Sequence, residues 1–527
     1  MHQSTRLIIN TMALIGQTII TVALSLVVTR IVVQELGLTD FGIFAAIGAT
    51  TGLMMIVSNA MTDSCGRHLS HAVGANRDDT FQEVFNTALA IYTAAACVIL
   101  ALSAILAWPL VRVLTIPPER ETAAAIVLIT TGLRFAIITV QSPFRAATIS
   151  RQYHTIIAGI TTIQGFLRLF AALLLIVAPI DQLIMWAALL VVVDITHTLA
   201  IIAATCRTNP LTIPKPGLIR RRMIRELVAF GGWQLLGALS WRLRMQGAQI
   251  AVNLLFTPAH NAAYGLGTQA AGYQNLLAKP IGKAVQPAIT ASHGGEAHSR
   301  LRSLILVADK YTFIFSVILL VPLLLETPTL LSLWLGAERA AELAAVSVLD
   351  MTRLIALVIA LQALTSGFIF GINATGKIAT LALGTLVIDA STLALGVASV
   401  AMFDFGVVTI PAAAVLGMAA HAIFRATHAQ RVLDLPATTW LRRTALPAML
   451  TFIVALAAGF AVLAMVPESM LRLLLTTIAA GCATVGFAWL VALEPWERQN
   501  FVNFGTGAWN KLRSVLGRSH PTPGPGS

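Results

Sequence analysis

Along most of this chain apolar residues do not alternate with polar ones but run together for twenty residues or more, separated by short clusters of glycine, proline and charge. A run of that length crosses a bilayer as a helix, because a barrel strand alternates at period two and needs about half as many residues. Such runs occupy 7–33, 41–60, 86–114, 123–144, 154–178, 183–204 and 228–254. They continue at 262–285, 304–325, 343–369, 378–402, 407–429, 446–466 and 471–493. The pattern predicts an all-α, polytopic membrane protein with about fourteen transmembrane helices. The first run follows a basic start, but it is too long for a signal peptide, carries Asn10 and Gln17, and is read as the first span.

The connections sort by charge. One set is short, as at 257–261 and 467–469, while the other is longer and basic, as at 67–77, 207–225, 300–302 and 425–443. Positive segments resist translocation, so the basic set is expected in the cytoplasm together with both termini. Hydrophobic residues make up 57% of the chain and charged ones 11%, which excludes a soluble globular domain. The net charge of +12 follows this topology and does not mark a nucleic-acid surface. The connection 207–227 opens with Pro210, Pro214 and Pro216, then mixes basic and apolar residues at helical spacing over 218–227. That stretch is expected to lie on the anionic inner leaflet. It separates an amino-terminal bundle, 1–206, from a carboxy-terminal bundle, 228–433.

At a constant offset the halves align: Phe44 meets Tyr264, Gly52 meets Gly272, Gly74 meets Gly294 and Leu110 meets Leu330. Six spans per half is an even number, so the two six-helix bundles are expected to be parallel repeats with substrate between them. Residues 434–493 form two extra C-terminal helices, and 494–527 a cytoplasmic tail with an amphipathic segment near Trp509 to Leu516. No connection is long enough to hold a separate catalytic core.

Ionisable residues inside the apolar runs are mostly cationic, and such groups usually face a watery cavity. Arg30, Arg134, Arg168, Arg242, Lys279, Lys283 and Arg353 are candidates for one positively charged lumen, where guanidinium grips phosphate bidentately. Arg242, Gln246, Gln249 and Asn253 share one helical face, and Thr268, Gly272, Asn275, Lys279 and Lys283 form a second polar stripe. Arg134 and Arg242 lead this set. Blander readings stand beside it: Arg30, Lys279 and Lys283 lie where long side chains snorkel, Arg168 has Asp194 as a structural partner, and Arg244 points to packing. Asp63, Asp194, Asp350 and Asp389 are candidates for proton or sodium coupling, with a structural ion pair the commoner role for each. His197 follows Asp194 by one turn, close enough for a proton relay, although a satisfied histidine is the simpler account. Cys65, Cys97, Cys206 and Cys482 lack metal-like spacing and are read as packing residues. No nucleophile, metal or phosphate-loop motif is present, so neither an enzyme nor a cofactor or metal is expected.

Leu36-Gly-Leu-Thr-Asp-Phe-Gly-Ile-Phe44, Asn261-Ala-Ala-Tyr-Gly-Leu266, the stretch 287–296 and Leu331-Ser-Leu-Trp-Leu-Gly336 follow one another in a familiar order. In that order and spacing the chain, over 6–493, resembles the O-antigen type polysaccharide flippases of the multidrug/oligosaccharidyl-lipid/polysaccharide exporter superfamily. The resemblance implies a V-shaped pair of bundles and alternating access in the bacterial inner membrane. It implies an undecaprenyl-pyrophosphate-linked oligosaccharide as substrate, for O-antigen, lipopolysaccharide or exopolysaccharide synthesis. Membrane lipids, a polysaccharide polymerase and export machinery are the implied partners, and the working unit a monomer. A lipid II flippase and a multidrug cation antiporter are the alternatives; the second calls for an acidic lumen, against the cationic one expected here.

Overall fold

The computed structural model describes residues 3–177, 179–294 and 298–499, with backbone alone over 3–15, 53–64, 229–238 and most positions from 283 to 298. Everything described is helix or short connection, as long unalternating runs require. Helix α1 (Gln3–Gly74) carries the first two expected spans and is broken at Gly37, where φ is 71° and ψ 175°. That backbone region is open essentially to glycine alone, so the glycine of the first motif is where the chain turns back. Helices α2 (Asp78–Val113), α3 (Glu121–Ser150), α4 (His154–Leu175) and α5 (Gln182–Thr208) complete the amino-terminal half.

The seventh span is α6 (Arg221–Arg242), a π turn at Leu243–Gly247, and α7 (Ala248–Leu255). The eighth is α8 (Pro258–Gly272) and α9 (Asn275–Gly294), and the ninth α10 (His298–Leu325). Short helices α11 (Thr327–Leu335) and α12 (Ala337–Ala345) then lead, through an 82° bend, into α13 (Val348–Ala363) and α14 (Ser366–Ala374). Helices α15 (Ile378–Phe403) and α16 (Thr409–Leu433) close that half, and α17 (Ala437–Trp440), α18 (Leu446–Met465) and α19 (Met470–Phe487) follow it. Among the described residues 10 helices are long and apolar enough to cross a membrane, or 11 with the bent pair counted. The helix order is consistent with the fourteen expected passes, since α1 carries two and α6–α7 and α8–α9 are interrupted spans.

The amino-terminal half packs around two apolar clusters, one at Val32, Ile43, Ile47, Leu128 and Trp186, the other at Leu69, Phe81, Phe85 and Tyr92. The carboxy-terminal half has one larger cluster that includes Leu266, Phe313, Ile355 and Phe368 and extends into α18 and α19. Buried alanines let the helices approach closely, while large apolar side chains such as Ile105, Leu199 and Met402 point outward. The appended helices are held by charge as well. Lys310 of α10, buried, donates to Glu497 (2.7 Å) and to the Ala492 carbonyl (2.9 Å), and Arg472 donates to Glu326 (2.9 Å).

The expected surface helix at 218–227 is not a separate element. Its carboxy-terminal part is the first turn of α6, and the preceding turns are pinned to α2 by Lys215 N–H on Asn86 (2.5 Å) and Arg220 N–H on Thr87 (3.2 Å). The segment near Trp509 lies outside the described residues.

The halves also meet along α6 and α8, and a set of hydrogen bonds joins them away from the linker, along a seam. Asn261 Nδ2 donates to the Gly42 carbonyl (2.9 Å), Thr115 N–H to Asn253 (3.2 Å), and Trp334 Nε1 to the Leu26 carbonyl (2.9 Å). Three of the motif stretches thus meet one another or their neighbours here. Beside the seam Arg120 bridges Asp40 and Asp181. Partial burial alone would push the Asp181 carboxyl up, but bonds from the Ile184 N–H and from Arg120 hold it below the usual range.

Gly42 tests the seam. A Cβ there falls 1.9 Å from the Pro258 carbonyl oxygen, whereas one at Gly48 in the same helix meets open space. Gly42→Ala is expected to destabilise the purified protein by about 1–3 kcal/mol through overpacking, and Gly48→Ala to leave it unchanged or slightly firmer. Thermal unfolding in detergent reads the difference, and equal midpoints for the two variants would contradict this packing.

Candidate functional site

Three helices of the amino-terminal half meet at one carboxylate. Asp194 of α5, fully buried, accepts from Arg134 Nε on α3 (2.7 Å), Gln164 Nε2 on α4 (2.9 Å) and Arg168 Nη2 on α4 (3.4 Å). Two guanidiniums share one carboxylate, so the cluster keeps one positive charge. Arg168 Nε and Thr161 Oγ1 have no hydrogen-bond partner. Both residues line a 330 Å³ cavity with Arg134, Phe44 and Trp186. Unused donors beside an uncancelled cation suit an anion with several oxygens.

That cavity adjoins a 490 Å³ space between the halves, and the two share Ser25, Val28, Phe44 and Trp186 as lining. The inter-bundle space in turn shares Gln249 and Thr268 with a 600 Å³ cavity in the carboxy-terminal half. Gln246, Gln249, Asn275 and Lys279, singled out from the sequence, line this third cavity together with Trp241 and Gln286. A side branch runs past Tyr273 to a 610 Å³ apolar groove lined by Leu26, Leu319, Leu323, Leu330, Trp334 and Leu474. The three cavities therefore lie side by side from half to half, with the apolar groove against the middle one at Tyr273.

Arg242 lines none of these cavities. Its guanidinium sits over the Trp241 ring, 5.2 Å from the centroid, and the reason is the π turn that follows it. An α-helix stacks residue 242 on 246, whereas a π turn bonds i to i+5 and stacks 241 on 246. Trp241 takes the lumen position expected for Arg242. Asn253, from the same stripe, is buried at the seam. Arg353 also lies elsewhere: it donates to the Leu324 carbonyl (2.9 Å) and to Asp350 (3.4 Å), so both belong to a helix end near the seam. Arg30 donates to the Leu333 carbonyl (3.2 Å) and edges the apolar groove. The side chains of Asp63 and Lys283 lie outside the described residues.

Asp389 of α15 anchors a second buried network. It accepts from Arg244 Nη1 (3.1 Å) and the Ser240 hydroxyl and faces His421 Nε2 (2.8 Å), while Arg244 Nη2 donates to Gln362 (2.7 Å). Arg244, next but one to Arg242, thus serves packing. His421 and Ser240 carry no sequence signal of their own, because their partner is distant in the chain. His197 bonds Gln141 (3.0 Å) through Nδ1, and Asp194 accepts from the two arginines and Gln164. Among the described residues no group of three His, Cys, Asp or Glu side chains could hold a metal ion.

The family described as polysaccharide biosynthesis protein matches residues 7–293. No curated protein matches the chain. Among solved structures, the lipid II flippase MurJ in an inward closed conformation is similar with a TM-score of 0.69 at 11% identity, covering 92% of this chain and 98% of that one. An inward-facing multidrug resistance MATE family transporter of the MOP superfamily gives 0.68 at 14% identity, covering 80% and 98%. An outward-facing one gives 0.61 at 13%, covering 81% and 95%. Likeness at such identity shows the fold.

The neighbouring arginines of the seventh span should behave differently. Arg244→Met strands the Asp389 carboxylate in the interior and is expected to destabilise the protein by about 3–5 kcal/mol, seen as lost folded yield on size-exclusion chromatography. Arg242→Ala, outside the buried network, is expected to change stability by no more than about 0.5 kcal/mol. Equal yields would sink the assignment of Arg244 to the fold.

Proposed function

Because the chain belongs to the polysaccharide biosynthesis protein family, with the fold of MOP-superfamily transporters, we propose that it flips an undecaprenyl-pyrophosphate-linked oligosaccharide across the cytoplasmic membrane. The observation that carries this reading is the junction of a cationic pocket, at Arg134 and Arg168, with an apolar groove through one inter-bundle space. A diphosphate needs the first, a polyprenyl tail the second, and only a substrate with both chemistries uses the junction. Alternating access between the halves moves the headgroup, and the tail stays in apolar surroundings. The basic end faces the cytoplasm in this reading, and the glycan goes on to surface polysaccharide assembly.

The cation antiporter reading loses support on charge. Asp194 and Asp389 are each already neutralised by arginine, so neither is a free counter-ion for a cationic drug. A lipid II flippase remains the second reading, favoured by the match to MurJ over 92% of the chain, against 80% for the inward-facing MATE transporter. Both flippase readings use the diphosphate pocket.

Reconstituted protein should move a fluorescent polyprenyl-diphosphate oligosaccharide across proteoliposomes, under a proton or a sodium gradient. Arg168→Gln removes charge-assisted bonds without uncovering Asp194, which keeps Arg134 and Gln164, and is expected to slow transfer about tenfold or more. Wild type that leaves the lipid in place under both gradients would overturn the reading.

A further inference from the structure

The π turn at Leu243–Gly247 decides what the carboxy-terminal wall can bind. By bringing Trp241 rather than Arg242 into line with Gln246, it keeps guanidinium out of the 600 Å³ cavity. Arg242 braces the indole from outside, and Arg244 is held by Asp389 and Gln362. The polar groups that face the cavity are chiefly carboxamides, from Gln246, Gln249, Asn275 and Gln286, set beside the indole of Trp241 in an otherwise apolar lining that includes Ile359 and Phe370. Lys279 carries the one charge among the described lining residues. Gln246 Oε1 and Thr268 Oγ1, both out of solvent contact, have no hydrogen-bond partner.

A wall of this kind suits neither a polyanion, which calls for guanidinium, nor a cation, which calls for carboxylate. A carboxamide sets two donors and an acceptor in one plane, the arrangement that adjacent ring hydroxyls of a pyranose answer. An indole offers a broad apolar face to the C–H side of the same ring. The volume falls within the roughly 300–1,000 Å³ typical of small-molecule sites.

We propose that this cavity is a subsite for the uncharged sugar residues of the lipid-linked glycan, separate from the diphosphate pocket at Arg134 and Arg168. The inference rests on the flippase reading. The inter-bundle space shares Gln249 and Thr268 with one cavity and Ser25, Val28, Phe44 and Trp186 with the other, so one headgroup reaches both walls. Trp241 and Gln246 then determine specificity, because they contact glycan alone, whereas Arg168 contacts any polyprenyl diphosphate.

The test titrates two probes against the purified full-length protein in nanodiscs: lipid-linked glycan extracted from the source cells, and sugar-free undecaprenyl diphosphate. Wild type is expected to bind the glycan-bearing lipid about tenfold tighter or more. Trp241→Ala and Gln246→Leu are expected to remove most of that advantage while keeping affinity for the sugar-free lipid within about twofold. Trp241→Phe, which keeps an aromatic face, is expected to retain it, and Arg168→Gln to weaken both lipids alike. Equal wild-type affinity for the two lipids overturns the subsite and leaves the flippase reading standing. So does an advantage that survives in both Trp241→Ala and Gln246→Leu, or a loss that falls equally on both lipids. Wild type that binds neither lipid sinks the flippase reading itself.

Discussion

The cationic pocket of the amino-terminal half depends on one carboxylate shared by two arginines. Alone in an apolar bundle, either guanidinium would cost several kcal/mol in lost hydration. Asp194 makes both tolerable while cancelling only one charge, so the amino-terminal wall stays cationic without unfolding the helices that carry it. The carboxy-terminal half solves the same problem differently, since Asp389 takes Arg244 deep in the helix packing and leaves carboxamides to face the cavity. Charge is therefore asymmetric across the path.

The strong and weak interactions are also divided. Strong ion pairs bind each half internally, the linker to the amino-terminal half, and the appended helices to the carboxy-terminal half, as with Arg120–Asp181, Arg220–Glu83, Arg472–Glu326 and Lys310–Glu497. The bonds across the seam from Asn261 to Gly42, from Trp334 to Leu26 and from Gln269 to Thr29 (2.9 Å) end on carbonyls and neutral side chains instead of carboxylates, and the guanidiniums of Arg30 and Arg339 likewise reach the carbonyls of Leu333 and Gln34. Each neutral bond of this sort is worth about 1 kcal/mol net and is readily replaced by water. Breaking a buried ion pair costs several times more. Halves held by the second kind of contact and joined largely by the first are built as alternating access would require on the flippase reading.

The helices were legible because a span needs an uninterrupted apolar run, and little else in a sequence looks like one. The turn at Gly37 and the seam were half legible, through glycine-bearing motifs whose meeting place only the fold supplies. Arg168 with Asp194, and Arg244 as a packing group, follow from charge and spacing. Arg242 does not, because a π turn changes the helical phase by one residue and leaves no mark in composition. Arg30 and Arg353 mislead for another reason: hydropathy cannot tell a cation facing the lumen from one that satisfies the open carbonyls of a neighbouring helix.

On the flippase reading the apolar groove answers an energetic demand that the cationic pocket cannot. Drawing a polyprenyl tail through a wet lumen costs roughly 0.8 kcal/mol for every methylene-sized group exposed. A charged hydrogen bond returns only about 1.5–3 kcal/mol, so a few arginines cannot compensate for a tail of many isoprene units. The headgroup must cross while the tail remains in apolar surroundings, which requires an opening at the side of the lumen rather than at its ends. Tyr273 stands where that opening is needed, lining both the inter-bundle space and the groove between α1, α10 and α19. Its hydroxyl bonds Gln269 (2.9 Å) on the polar side while its ring packs near Trp334, so a single residue marks the border between the two solvents the substrate occupies at once.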